Sequence, residues 1–287
     1  MSVCAIGCQV TEQGCIALAV DILTGRLIQR ASATTLAGAI GELRMDESDI
    51  LGIGVATRIS ISSDELRRQF DYPISPATPT SHAHLIGAGI ASPSTMLLTP
   101  ETCVMNSRIE AAGATKAATL PEYFAYELAM PDDPDNVWRA MKLRAGIERL
   151  RANGVPVRRF VTLFDWSERS PALMQTFADV LGEKIVVSPA RDPAALGAAI
   201  LATVAAGHDR TGYTHPSQAI HAMSPRGHDA FRPDLAKRRE YEPIYERERA
   251  DHRQRPEYRN GAGNARMVAR RGLAMVMRTQ MHRGSIH

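Results

Sequence analysis

The chain has 287 residues, 44% of them apolar and 23% charged, which excludes an unfolded polar chain and leaves room for two domains of ordinary size. No apolar run reaches the length of a membrane span, and no basic-then-apolar leader opens the chain. Cys4, Cys8, Cys15 and Cys103 form no CxxC pair and have no histidine cluster beside them, so a reduced, cytoplasmic protein without a metal site is expected. Only 5% of residues are aromatic, so the core must come from Ala, Val, Ile and Leu. The net charge of +3 is uneven. From His208 onward sixteen Lys and Arg face nine Asp and Glu, so the tail carries +7 and the preceding 207 residues −4. Its arginines lack interleaved aromatics, so it reads as a solvated helix with a basic end rather than a nucleic-acid contact.

Val3–Val10 and Ile16–Asp21 are apolar and β-compatible, Thr24–Gly25 marks a tight turn, and Arg26–Gln29 returns, giving a hairpin meander. Ala33–Arg44 reads as a helix and Ile50–Ala56 as a buried strand. Asp64–Tyr72 follows, then a Pro-rich linker, Pro73–Pro79. Met96–Leu98 and Thr102–Met105 form another hairpin, and Ala118–Glu127 a further strand. Asp135 or Asn136 caps a helix over Val137–Asn153, whose Val137, Met141, Ile147 and Leu150 share a face. The most regular stretch is 154–207: strand Val157–Leu163, a loop, helix Pro171–Leu181, strand Lys184–Val187 and the small-residue helix Pro193–Gly207. Strand, helix, strand, helix at this spacing is a unit of an α/β domain with a mostly parallel sheet. Pro233–Arg255 is a charged helix with Tyr241 and Tyr245 at helical spacing.

Ile6, Gly7, Ala17–Asp21, Thr24, Gly25, the strand Leu51–Val55, the segment Ser81–Gly89 and the helix Ala195–Ile200 with Ala205–Gly207 occur in the order found in FGGY carbohydrate kinases, and the chain resembles the ribulokinase branch most. The resemblance covers most of residues 3–60 and 80–250. It implies an actin-like (ribonuclease H-like) α/β ATPase fold of two domains with the first incomplete: 1–72 a shortened first domain, 73–80 a linker, 81–210 the second domain, 211–255 the charged helix region and 256–287 a disordered basic tail. An incomplete first sheet leaves an open edge, to be covered by the tail, a partner chain or a second copy.

The resemblance also implies ATP and Mg²⁺ as cofactors and phosphorylation of a ketopentose or related sugar, chemistry that depends on positioning and neutralising phosphates. The chain departs from the family at each of these points. In the first phosphate turn Gln9 stands at the acidic position and Thr11 at the glycine position, with Glu12 adding negative charge. Ala56 replaces an aspartate. Thr80 stands at the general-base position, where a hydroxyl has no accessible pKa for the task; His82, two residues on, is the alternative base. The second phosphate turn reads Thr99-Pro100-Glu101-Thr102: Thr102 is retained, Pro100 lacks a donor, and Glu101 near a phosphate costs about 4 kcal/mol at 4 Å and an effective dielectric near 20. Phe164 and Asp165 replace the adenine-binding Gly pair, with Trp166 next, so side chains either fill the slot, the simpler reading, or stack on a base through Phe164 or Trp166. Gly197 lies on the helix beside the adenosine pocket, and Glu127 falls on a family glutamate near the substrate. A degenerate kinase relative that binds a partner, a sugar or a subunit without turnover is the expected function, with a sugar or a nucleotide as the small-molecule ligand. The alternatives are a working divergent kinase, revealed by sugar-dependent ATP turnover, and a decayed gene product, revealed by uncooperative unfolding.

Overall fold

The structure, a computed structural model, describes residues 3–59, 61–111, 114–116, 120, 122–227 and 229–254; the expected basic tail, 256–287, lies outside the described residues. Strands β1 (Cys4–Thr11), β2 (Gly14–Asp21) and β3 (Leu27–Ala33) form the meander, each antiparallel to the next. The β2–β3 turn is held by Asp21, whose carboxylate accepts from the Leu23 and Thr24 amides and the Thr24 hydroxyl, with Gly25 at φ +69°. Helix α1 (Leu36–Glu42), capped by Thr35, leads to β4 (Ile50–Thr57), parallel to β1. Helix α2 (Ser63–Gln69) precedes β5 (Thr78–Pro79), parallel to β4. The strand order is β3-β2-β1-β4-β5.

Strand β5 is only two residues long. The stretch read as a linker lies beside β4: the Ile53 amide donates to Pro73 O and the Ser75 amide to Ile53 O. Residues 73–79 thus line the edge that the shortening would leave open. Side chains of β1, β2 and β4 alternate between two cores. Cys4, Ile6, Cys8, Cys15, Ala17, Ile53 and Val55 face one; Ala5, Leu18, Val20 and Leu51 face the other. All four cysteines are buried and unbridged.

The second sheet follows helix α3 (Thr80–Gly87). Its strands are β6 (Thr95–Leu98), β7 (Thr102–Ser107), β8 (Thr115–Lys116) and β9 (Phe124–Ala129), then, after helix α4 (Asn136–Ala152), β10 (Arg159–Leu163). Helices α5 (Phe164–Arg169) and α6 (Pro171–Leu181) lead to β11 (Ile185–Ser188); α7 (Pro193–Ala205), α8 (His208–Thr211) and α9 (Pro216–Met223) precede β12 (Ala230–Phe231) and α10 (Leu235–Gln254). The order is β12-β11-β10-β6-β7-β9-β8. Its inner five, β9-β7-β6-β10-β11, repeat the first sheet: an antiparallel meander, then two parallel strands. Both sheets lie in the compact unit Met1–Arg238. A second unit, Arg239–His287, is described only as the continuation of α10.

Two readings change. The loop expected after Leu163 is α5, because Trp166 turns inward, 5% exposed, and meets Phe177 edge-on with ring centroids 6.1 Å apart. The strand expected over Ala118–Glu127 begins at Phe124; residues 117–119 and 121 lie outside the described residues.

Helix α7 is the central piece. Residues Pro193–Thr203 are all buried, and it packs against β1, β4 and α3. Gly7 and Gly54 make this possible: a Cβ on either would overlap the backbone of α7, at Ala195 O and Ala198 O respectively. The Ala/Gly composition of α7 is therefore a packing requirement of the sheet it covers.

Candidate functional site

The C-terminal ends of β1, β4 and β5 from the first sheet, and of β6 and β10 from the second, meet at a cleft of about 1100 Å³. Open α/β sheets bind ligands at such strand ends. Of the residues singled out from the sequence, Gln9, Thr80, His82, Thr99, Pro100, Glu101, Thr102, Glu127, Asp165 and Trp166 line it. Thr11, Phe164 and Gly197 do not. The guanidinium of Arg191 lies over the Phe164 ring, 5.8 Å from its centroid. Gly197 faces α3, where a Cβ would strike Ala83 O, so this glycine serves helix packing.

Both expected phosphate turns are closed on themselves. In the first, Thr11 Oγ1 donates to Gly14 O at 3.0 Å and accepts the Gln13 amide at 3.2 Å. In the second, Thr99 Oγ1 donates to Thr102 O at 2.7 Å and accepts the Thr102 amide at 3.2 Å, while the Thr99 amide also donates to Thr102 O. Pro100 has no amide hydrogen, and its carbonyl accepts from Arg139. Glu101 forms an ion pair with Arg58, at the end of β4, which ties the first sheet to the second at the cleft. Among the described residues no group of three or more His, Cys, Asp or Glu is placed to hold a metal.

The first turn of α3 supplies the remaining polar groups. Thr80, at the expected base position, is 5% exposed, and its Oγ1 has no hydrogen-bond partner. Ser81 Oγ donates to Glu127 on β9. His82 Nδ1 stands 4.0 Å from the same carboxylate, and its buried Nε2 has no partner. Burial lowers the His82 pKa below its ordinary value, and Glu127 opposes this only in part. Opposite, Arg30 on β3 grips Asp192 with two hydrogen bonds of 2.7 and 3.2 Å, fixing a residue at φ 47° just before α7.

The sequence did not single out Arg58, His84, Arg30 or Asp192. The one signal for Arg58 is that it directly follows a buried parallel strand. His84 lies in the cleft, and burial, aided by Arg58 and opposed by Glu101, lowers its pKa from 6.5 to about 4. Its folded-state pKa is depressed, so between those values the unfolded chain takes up a proton that the folded chain refuses, and stability falls on acidification. The thermal midpoint is expected to drop as pH goes from about 6.5 to about 4, and less steeply in His84→Gln. Identical profiles for the two proteins would exclude a buried, neutral His84.

Residues 139–206 match the C-terminal domain of the FGGY family of carbohydrate kinases. The chain is 30% identical over 112 residues to a ribulokinase of Bacillus licheniformis, covering 37% of this chain and 20% of that protein. It is 33% identical over 100 residues to a ribulokinase of Shouchella clausii, covering 35% and 18%. The chain thus spans about a fifth of the length of the curated relatives it matches. Among solved structures, a xylulose kinase from Brucella ovis superposes with a TM-score of 0.67 at 12% identity, over 86% of this chain and 98% of that one. A gluconate kinase from Lactobacillus acidophilus superposes with 0.60 at 8% identity, over 86% and 98%. At these identities the likeness speaks for the fold, which is actin-like, as the twice-repeated strand order requires.

Proposed function

We propose that the chain, whose residues 139–206 match the C-terminal domain of the FGGY family of carbohydrate kinases, holds a sugar-like polyol in its cleft without transferring phosphate to it. The family generally uses ATP and Mg²⁺. The residues present do not fit that pair: the Thr11 and Thr99 hydroxyls and the Gln13 and Thr102 amides are spent within the turns, Glu101 occupies the second, and no carboxylate stands at Thr80. The observation that carries the reading is Thr80, a buried hydroxyl without a partner at the position of the general base. It can hydrogen-bond a ligand hydroxyl but cannot take its proton at neutral pH. Thr80, His82, Ser81 and Glu127 together offer donors and acceptors of the kind a polyol requires, on one wall of an open cleft. A cytoplasmic location belongs to the same proposal; among the described residues no helix is long and apolar enough to cross a membrane.

Thermal unfolding and ADP release test it together. Millimolar MgATP is expected to leave the midpoint unchanged. A polyol at a hundred times its Kd adds about 2.7 kcal/mol, roughly 5–10 °C for a chain of this size. Sugar-dependent ADP release, or a midpoint raised several degrees by MgATP alone, would overturn the reading.

A further inference from the structure

The charges of the cleft narrow the ligand further, and this step rests on the cleft being the ligand site. Its lining carries four carboxylates, Glu101, Glu127, Asp165 and Asp192, against two guanidinium groups, Arg58 and Arg169. Glu101 is neutralised by Arg58 and Asp192 by Arg30. Arg169 Nε donates only to the Asp165 backbone carbonyl, which leaves the Asp165 carboxylate unneutralised by it. Of these two carboxylates, Glu127 is the one beside Ser81 and His82, whose Nε2 lacks a partner. It is half-exposed, it accepts from Ser81, and among the described residues its one basic neighbour within 4 Å is His82. Burial keeps that imidazole uncharged at neutral pH. Glu127 therefore faces the cleft as a carboxylate without a counter-charge. Beside it on α3, Thr80 Oγ1 and His82 Nε2 are buried without partners, and such groups destabilise the fold until a ligand or water meets them.

We propose that the cleft selects an amine-bearing polyol over the neutral polyol of the same length, with the ammonium against Glu127 and ligand hydroxyls on Thr80 and His82. An ammonium about 4 Å from a carboxylate gains between about 1 kcal/mol in water and about 4 kcal/mol at an effective dielectric of 20. A preference of about tenfold or more over the neutral isostere follows. A ligand carboxylate in the same place meets repulsion.

Calorimetric titration of the full chain at pH 7.5 with ribitol, 1-amino-1-deoxyribitol and ribonate tests this. The amine is expected to bind about tenfold more tightly than ribitol, and ribonate more weakly than either. Added salt is expected to shrink the preference in the unmodified protein, which needs no variant to fold. Glu127→Gln, which retains an acceptor for Ser81, is expected to abolish it, and Asp165→Asn to leave it. Equal or tighter binding of ribitol, or a preference that survives Glu127→Gln and high salt, overturns the amine assignment while the cleft remains a polyol site. Binding of none of the three overturns both.

Discussion

Gly197→Ala is expected to lower the thermal midpoint by roughly 6–12 °C, a loss of about 3 kcal/mol. The added methyl meets backbone on two sides, the Ala83 carbonyl and, at 3.0 Å, the Gly87 amide. Neither is the tip of a flexible side chain. Relief therefore requires α3 and α7 to separate, and α7 is held on its other faces by β1 and β4. Overpacking of this kind costs about 1–3 kcal/mol where neighbours can adjust, and the upper end applies where they cannot. Gly41→Ala is the control. Gly41 lies on the exposed face of α1, and a Cβ there would have nothing within 4 Å, so alanine is expected to stabilise by up to about 1 kcal/mol. If Gly197→Ala melts with the unmodified protein, the tight α3–α7 contact is wrong.

Trp166→Ala is expected to cost about 3–5 kcal/mol without changing any response to nucleotide. In the sequence, Trp166 follows Phe164 and Asp165, where the resemblance implies an adenine-binding Gly pair, a place that suits either stacking on a base or filling its slot. In the fold its ring is 5% exposed and packs edge-on against Phe177, itself fully buried. A side chain so placed contributes as core. The variant is therefore expected to melt roughly 6–20 °C lower. The emission of the unmodified protein, which has only two tryptophans, is expected to stay unquenched by MgATP. A variant that melts normally but alters nucleotide binding would make Trp166 a stacking platform of the cleft it lines.

Local pattern was enough for most elements. Helix α6 starts and stops at the residues read from the chain, because Pro171 opens it and Gly182, at φ 65°, closes it. Helix α4 takes Asp135, one of the two expected caps, through bonds to the Val137 and Trp138 amides. The meander was legible from apolar runs and the Thr24–Gly25 turn. Helix α5 was not, since six residues carry too little periodicity and their helical state depends on burying Trp166. The departures from the family pattern at the expected phosphate turns were visible as Pro100, Glu101 and Thr11. That the turns also close upon themselves was not, because it depends on where Thr99 and Thr11 direct their hydroxyls.

The sequence by itself determined the strand and helix types, which reside in apolar period and capping residues, and its ordered motifs carried the resemblance to an actin-like class. Only the tertiary structure decided which groups meet. Arg58 and Glu101 are 43 residues apart, Ser81 and Glu127 46, and Arg30 and Asp192 162. No local preference links such pairs. They are brought together because two sheets of like order direct their strand ends at one cleft, and because α7, stripped of bulk, lets the first sheet and α3 close around it.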